Sequence, residues 1–430
     1  MVNKIGNSSY YIVLLIFILS FSQGVIFALG VPNAVSQLSI EILILILFFK
    51  AMLNIISVGG DIYGDGLVIN LLLIVAIFIS FLITTVSKIQ LIFFIRNFFI
   101  YYLFFYALFN IKLTDSQKER IKKLIIYLFV IQLPASFIKL YLIGTSEDYI
   151  GTISVEDGSL ATIMPLFAIS YLLSHYMVYK DKKYPILMLL FIGIGLISNK
   201  LGILYYVVFL YFAILYVYSK FDLVLLKNLF KTMIFLSLIF SAFVSLNPRA
   251  NPEGKVGGSV DIDYLIKYSN EYQHYSEDGV KGDGRFTAPF DVWDLLSSKG
   301  IIAVLWGLGP GDIIQSSFLK YKNPLLEKYN IGYGGRLGIL QLMMQIGLIG
   351  LLLALSFHIL LYMKIRYVYD NYIIDTEHKV LLLYFIGLSI IYFLDTLTYS
   401  PTLLNNPAMI MVYLYSFFYI HKYKGVLNES

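Results

Sequence analysis

Cysteine is absent from this chain, which excludes disulfides, a thiolate nucleophile and cysteine-ligated metal, so any water-facing segment must hold together by packing. Charge is scarce as well. Asp, Glu, Lys and Arg make up 14% of the residues and hydrophobic residues 59%, whereas a soluble domain carries about 25% charge to keep its surface wet. That deficit excludes a soluble fold. The net charge of +5 is small for 430 residues, and with no basic face visible a nucleic-acid partner is not expected. The five histidines are scattered, and no His, Asp and Glu cluster has metal-ligand spacing, so neither a metal nor another cofactor is expected.

What fills the chain is apolar. Runs near or above the roughly 17 residues needed to cross hydrocarbon lie at about 10–29, 38–58, 67–87, 91–109, 120–143, 160–179, 184–198, 201–219, 228–246, 338–362, 380–397 and 404–420. The first is followed by no small-residue cleavage pattern and reads as a retained helix. The 36 Tyr and 33 Phe suit a protein whose rings sit at membrane interfaces. The expected fold is all-α: a polytopic integral membrane protein of about twelve transmembrane helices.

The least secure boundary is between 184–198 and 201–219, which only Asn199 and Lys200 separate. One long broken element there would change the parity of every later span. Charge bias decides between the two. Lys and Arg collect in alternate short loops, at 112–123, 180–183, 220–227, 364–379 and 422–424, while 144–159 carries acids without a base and 30–37 and 398–405 carry no charge. The basic loops are therefore expected in the cytoplasm with both termini, in a plasma membrane. That alternation holds only if 184–219 crosses twice. Residues 1–246 then hold nine helices, 247–337 form a large external loop, and 338–430 hold the last three.

The loop is rich in Gly, Asp, Lys, Asn and Pro, and its acids and bases nearly balance. Ala288 to Ser298 should form a helix with Phe290, Trp293 and Leu296 on one apolar face, lying on the membrane surface. General-base candidates in the loop are Asp291, Asp294, Glu253 and His274. Glu41 and Asp395 fall within or at the ends of apolar runs, where ionisable residues are costly and often functional. Asp395 is expected to line an acceptor groove.

Three outward-facing stretches occur in order. Leu196-Ile197-Ser198-Asn199-Lys200-Leu201-Gly202 ends a short span. Gly284-Arg285 is followed by Trp293 and then Trp306-Gly307-Leu308-Gly309-Pro310-Gly311. Arg336 leads to Gly347-Leu348-Ile349-Gly350. Together they resemble the bacterial O-antigen polymerase and O-antigen ligase superfamily, membrane glycosyltransferases of the GT-C type. Lys200 stands where the family has Arg, and Arg336 where ligases usually have His, which favours a polymerase.

The resemblance implies a metal-independent, inverting enzyme that extends undecaprenyl-pyrophosphate-linked oligosaccharide repeat units on the external face, with a lipid-linked donor and acceptor and a chain-length regulator as partners. It implies Arg285 and Arg336 as the cations that stabilise the departing pyrophosphate, and Lys200, Trp293, Asp395 and Arg249 as substrate-binding residues. An O-antigen ligase is the alternative within the family. A lipid-linked oligosaccharide flippase is the alternative outside it, although the internal repeat expected of a transporter is not visible.

Overall fold

The computed structural model describes residues 2–58, 64–143, 151–153, 159–198, 200, 202–219, 237–238, 240–241, 244–245, 251–255, 257–267, 288–313, 337–372, 375–399 and 402–420. Among these residues every regular element is helical. The chain runs α1 (Val2–Phe21), α2 (Gln23–Ala28), α3 (Asn33–Val58), α4 (Leu67–Ile83), α5 (Lys88–Phe94), a π-helical turn π1 (Ile95–Phe99) and α6 (Ile100–Asn110). There follow α7 (Asp115–Ile143), α8 (Leu160–Tyr179), α9 (Lys183–Ile197), α10 (Gly202–Ser219), α11 (Ala288–Ser298), α12 (Ile301–Trp306) and α13 (Gly338–Asn371). The chain closes with α14 (Thr376–Leu394), a second π-helical turn π2 (Asp395–Tyr399), α15 (Thr402–Asn405) and α16 (Pro407–Ile420).

Seven of the described helices are long and apolar enough to cross a membrane, and Ser8–Phe21, Leu67–Ile83, Lys183–Ile197 and Pro407–Tyr419 are shorter apolar helices. The chain is a helical membrane protein on this length and composition. The apolar run at 228–246 lies, but for a few positions, outside the described residues. The first run departs from expectation, because the helix breaks at Ser22. Its N–H bonds the Leu19 carbonyl at 3.1 Å, and Gly24 N–H is drawn away to the Thr152 carbonyl at 2.9 Å, so the ladder cannot continue straight through.

Residues 184–219 form two helices rather than one, and they double back. Ile203 packs against Gly195 at one end, while at the other Lys180, just ahead of α9, lies over the ring of Tyr218 near the end of α10. Antiparallel neighbours of this kind need only a short connection, and here the Lys200 N–H bonds the Gly195 carbonyl at 2.9 Å.

Polar contacts between helices sort their ends into two sets. At one end Lys364 pairs with Asp65, Lys122 with Glu377 at 3.3 Å, Lys50 with Ser8, and Tyr419 with Glu119. At the other Arg96 pairs with Glu41 at 2.6 Å, Tyr206 meets Thr398 at 3.2 Å and Tyr101 bonds the Asn405 carbonyl at 3.3 Å. The first set defines a basic end and the second an end poor in bases.

α8 and α14 run through the centre: 72% and 78% of their apolar windows are buried, against 28% and 22% for α3 and α7. The exposed faces of α3 and α7 are large aliphatic and aromatic side chains such as Phe49, Leu53, Tyr127 and Ile138, the composition that suits lipid as solvent. His358 sits within the core on α13, its Nε2 at 3.1 Å from the Tyr102 hydroxyl and its Nδ1 at 3.3 Å from that of Tyr413, with the Tyr392 ring stacked on it. Both ring nitrogens have partners, so this histidine serves packing and hydrogen bonding in the core.

Candidate functional site at the base-poor end

The segment between α11 and α13 enters the bundle at Trp306 to Gly311 and is held there by hydrogen bonds. Leu308 N–H donates to the Met344 carbonyl at 2.7 Å, and Gly311 N–H to the Gln345 side-chain oxygen at 3.0 Å. The buried Ser80 hydroxyl, on α4, donates to the Trp306 carbonyl at 2.6 Å. The partner surface is a break in α13, where Gly347 adopts φ 66° and ψ −173°, a conformation closed to residues with a Cβ. A Cβ on Gly347 would also strike the Leu305 carbonyl, and one on Gly307 would come within 2.6–2.7 Å of Gln345 and Gly347 backbone. Two glycine-rich stretches far apart in sequence thus meet because neither has side chains to keep the backbones apart.

The second feature is a pair of π-turns on either side of α15. A π-turn inserts a residue and rotates the face that follows, and such turns gather at functional sites. Arg96 lies on π1. Its Nε donates to Glu41 Oε2 at 2.6 Å, the carboxylate being nearly buried and the guanidinium 29% exposed. The contact is made through Nε, and the other carboxylate oxygen, Oε1, is buried without a hydrogen-bond partner among the described residues.

Asp395 opens π2 and corrects an expectation. It is fully buried, and its carboxylate accepts the Leu403 N–H at 2.7 Å. It ties the start of α15 to the end of α14 and does not line a groove. Gly338, at the start of α13, lies against Thr396 with no room for a larger side chain to enter freely. Beside π2, an apolar groove of about 220 Å³ is lined by Tyr362, Ile390, Phe393, Leu394, Leu397 and Thr398. Its lining is almost wholly apolar, the chemistry that suits a hydrocarbon chain.

Of the other expected site residues, Lys200 is described in the α9–α10 turn at this same end. Trp293 is on α11, whose bounds match the expected helix. The helix buries Ala288, Val292, Leu295 and Leu296, while Phe290 and Trp293 point outward at 73% and 52% exposure, so Leu296 does not share their face as expected. Helix periodicity allows either stripe, and packing on Leu340 and Met344 of α13 selects the aliphatic one. Phe290, Trp293, Ile301 and Ile302 then form an exposed apolar patch. Arg249, Arg285 and Arg336 lie outside the described residues, as does His274.

Among the general-base candidates, Glu253 accepts two bonds from Ser259, at 2.6 and 2.9 Å, which hold its carboxyl below the usual range. Asp291 is the opposite case. Burial, reinforced by the neighbouring Asp294 charge, raises its carboxyl above the ordinary value, and Oδ2 is buried without a partner among the described residues. A raised carboxylate is the better proton acceptor. Arg96 was not among the residues singled out by sequence. The signal available for it was a lone arginine within an apolar run, facing a lone glutamate in another. Neither the known protein families nor the curated proteins compared with the chain give a match, so its chemistry rests on the site itself.

Proposed function

We propose that the chain is a membrane glycosyltransferase that polymerises polyprenyl-pyrophosphate-linked oligosaccharide repeat units on the outer face of a bacterial plasma membrane. The observation that carries the reading is the interlock of Trp306–Gly311 with the Gly347 break. It joins, at one end of the bundle, the two glycine-rich stretches that resemble the polymerase and ligase superfamily. Around that junction are what the substrate requires. Arg96 supplies a fixed cation near hydrocarbon, and the groove beside π2 offers an apolar wall to the prenyl chain.

The leaving group is a lipid pyrophosphate that departs with accumulating negative charge, and preorganised cations lower that barrier. Arg285 and Arg336 keep their proposed role as the main clamp, and Arg96 is added to them. Lys200, Trp293 and Arg249 are proposed to contact the lipid-linked donor or the acceptor chain. Asp291 is the proposed base toward the acceptor hydroxyl. A polymerase is preferred to a ligase because Arg336 stands where ligases usually carry His.

The test is purified protein with lipid-linked repeat units, scored for chain growth. Growth should persist in chelator. Arg285→Ala and Arg336→Ala should each lower it by more than about a hundredfold with protein levels unchanged. Transfer of glycan to a lipid acceptor without lengthening would establish the ligase instead, and translocation without bond formation the flippase. Unimpaired growth in both alanine variants would remove the clamp.

A further inference from the structure

At the basic end, far along the helices from the site above, a cavity of about 580 Å³ opens between the end of α10, the end of α13 and the start of α14. Tyr218, Arg366, Tyr369, Asp370, Tyr372 and Lys379 line it among the described residues. Its charge is unbalanced. Asp370 Oδ2 takes the Nε of Arg366 at 2.6 Å, and Nη1 of the same guanidinium is buried with no hydrogen-bond partner among the described residues. Lys379 Nζ stands over the ring of Tyr218 at 4.9 Å and that of Tyr369 at 6.0 Å. Lys180 shares the Tyr218 ring at 5.2 Å. Cations on aromatic faces are held in place without being neutralised.

The described acids at the start of α14 are engaged elsewhere: Asp375 with His378 and Glu377 with Lys122. Among the described residues, the ammonium of Lys379 and the guanidinium of Arg366 thus face a space lined by a single, already engaged, carboxylate. Like charges placed so close repel each other unless an anion enters, and a guanidinium with a spare amino group beside a lysine matches a phosphate geometrically. We infer that this cavity is a binding site for a phosphate anion, carried by the headgroup of an acidic phospholipid or by a soluble phosphorylated molecule. Both sources have access, because the site lies where helices end, and basic pockets between helices at that level take acidic headgroups from the leaflet.

The experiment uses the full chain in phosphatidylcholine nanodiscs with or without cardiolipin, and separately titrates inorganic phosphate. Lipid retention is read by native mass spectrometry and phosphate by the shift in melting temperature. Arg366→Gln combined with Lys379→Gln should weaken binding at least tenfold, while Lys299→Gln, on the external segment, leaves it unchanged. Loss in the cardiolipin arm identifies a lipid headgroup, and loss in the phosphate arm a soluble ligand. Lys379→Gln compared with the charge-keeping Lys379→Arg repeats the measurement should the double variant not fold. No binding of either probe, or binding undiminished by loss of the charges, overturns the inference.

Discussion

At the scale of single residues the Arg96–Glu41 pair separates structure from chemistry. An ion pair buried within helices is costly to break, because the surviving charge is left without its partner at about 3–5 kcal/mol when fully buried; partial exposure of Arg96 reduces that. Loss of activity in Arg96→Gln alone would therefore be ambiguous. Replacing both charges, Glu41→Gln with Arg96→Gln, removes the orphan. If Arg96 only neutralises Glu41, the double variant recovers yield and activity together. The proposed role predicts recovered yield in size-exclusion chromatography with polymer formation still down by more than about a hundredfold. Glu41 was legible in the sequence as an ionisable residue in an apolar run, yet its partner was not. Nothing in one chain's linear order says that residue 96 faces residue 41 until the π-turn has rotated it there. Asp395 failed for a related reason: the polar run after it looks wet, but α15 folds back and buries the carboxylate against its own N–H.

At the scale of elements, the Gly347 break sets how the segment at Trp306–Gly311 joins the bundle. A continuous helix over 338–371 would present side chains where Trp306–Gly311 now lies. Gly347→Ala must leave φ 66°, ψ −173° and meets the Leu305 carbonyl. A Cβ in such a conformation costs about 1–3 kcal/mol before any clash, so a clear fall in melting temperature is expected. Gly193, within α9 and open around its Cα, supplies the contrast. Gly193→Ala should be neutral or stabilising by up to about 1 kcal/mol, as alanine is the better helix former. A Gly347→Ala protein as stable as the wild type would show the break to be incidental. The glycines themselves were visible in the sequence as two separate stretches, and their meeting was not, because backbone contact leaves no mark on either stretch alone.

At the scale of the whole molecule the question is which end faces which compartment. Reporter fusions after Tyr149 and after Glu271 should both read as external, and one after Lys182 as cytoplasmic, given the loop charges. A cytoplasmic reading at Glu271 alone would mean that an odd number of crossings separates it from Tyr149, against the doubling back of α9 and α10. The sequence by itself determined that the chain is helical and membrane-embedded and where most helices begin and end. Those properties follow from local hydropathy, helix length and charge, which each segment carries alone. Tertiary structure decided the break at Ser22, which residues of α11 pack on α13, the burial of Asp395, the pairing of Arg96 with Glu41 and the convergence of Arg366 and Lys379. Each of these depends on which distant backbone or side chain satisfies a group that hydrocarbon cannot, and only packing brings that partner within reach.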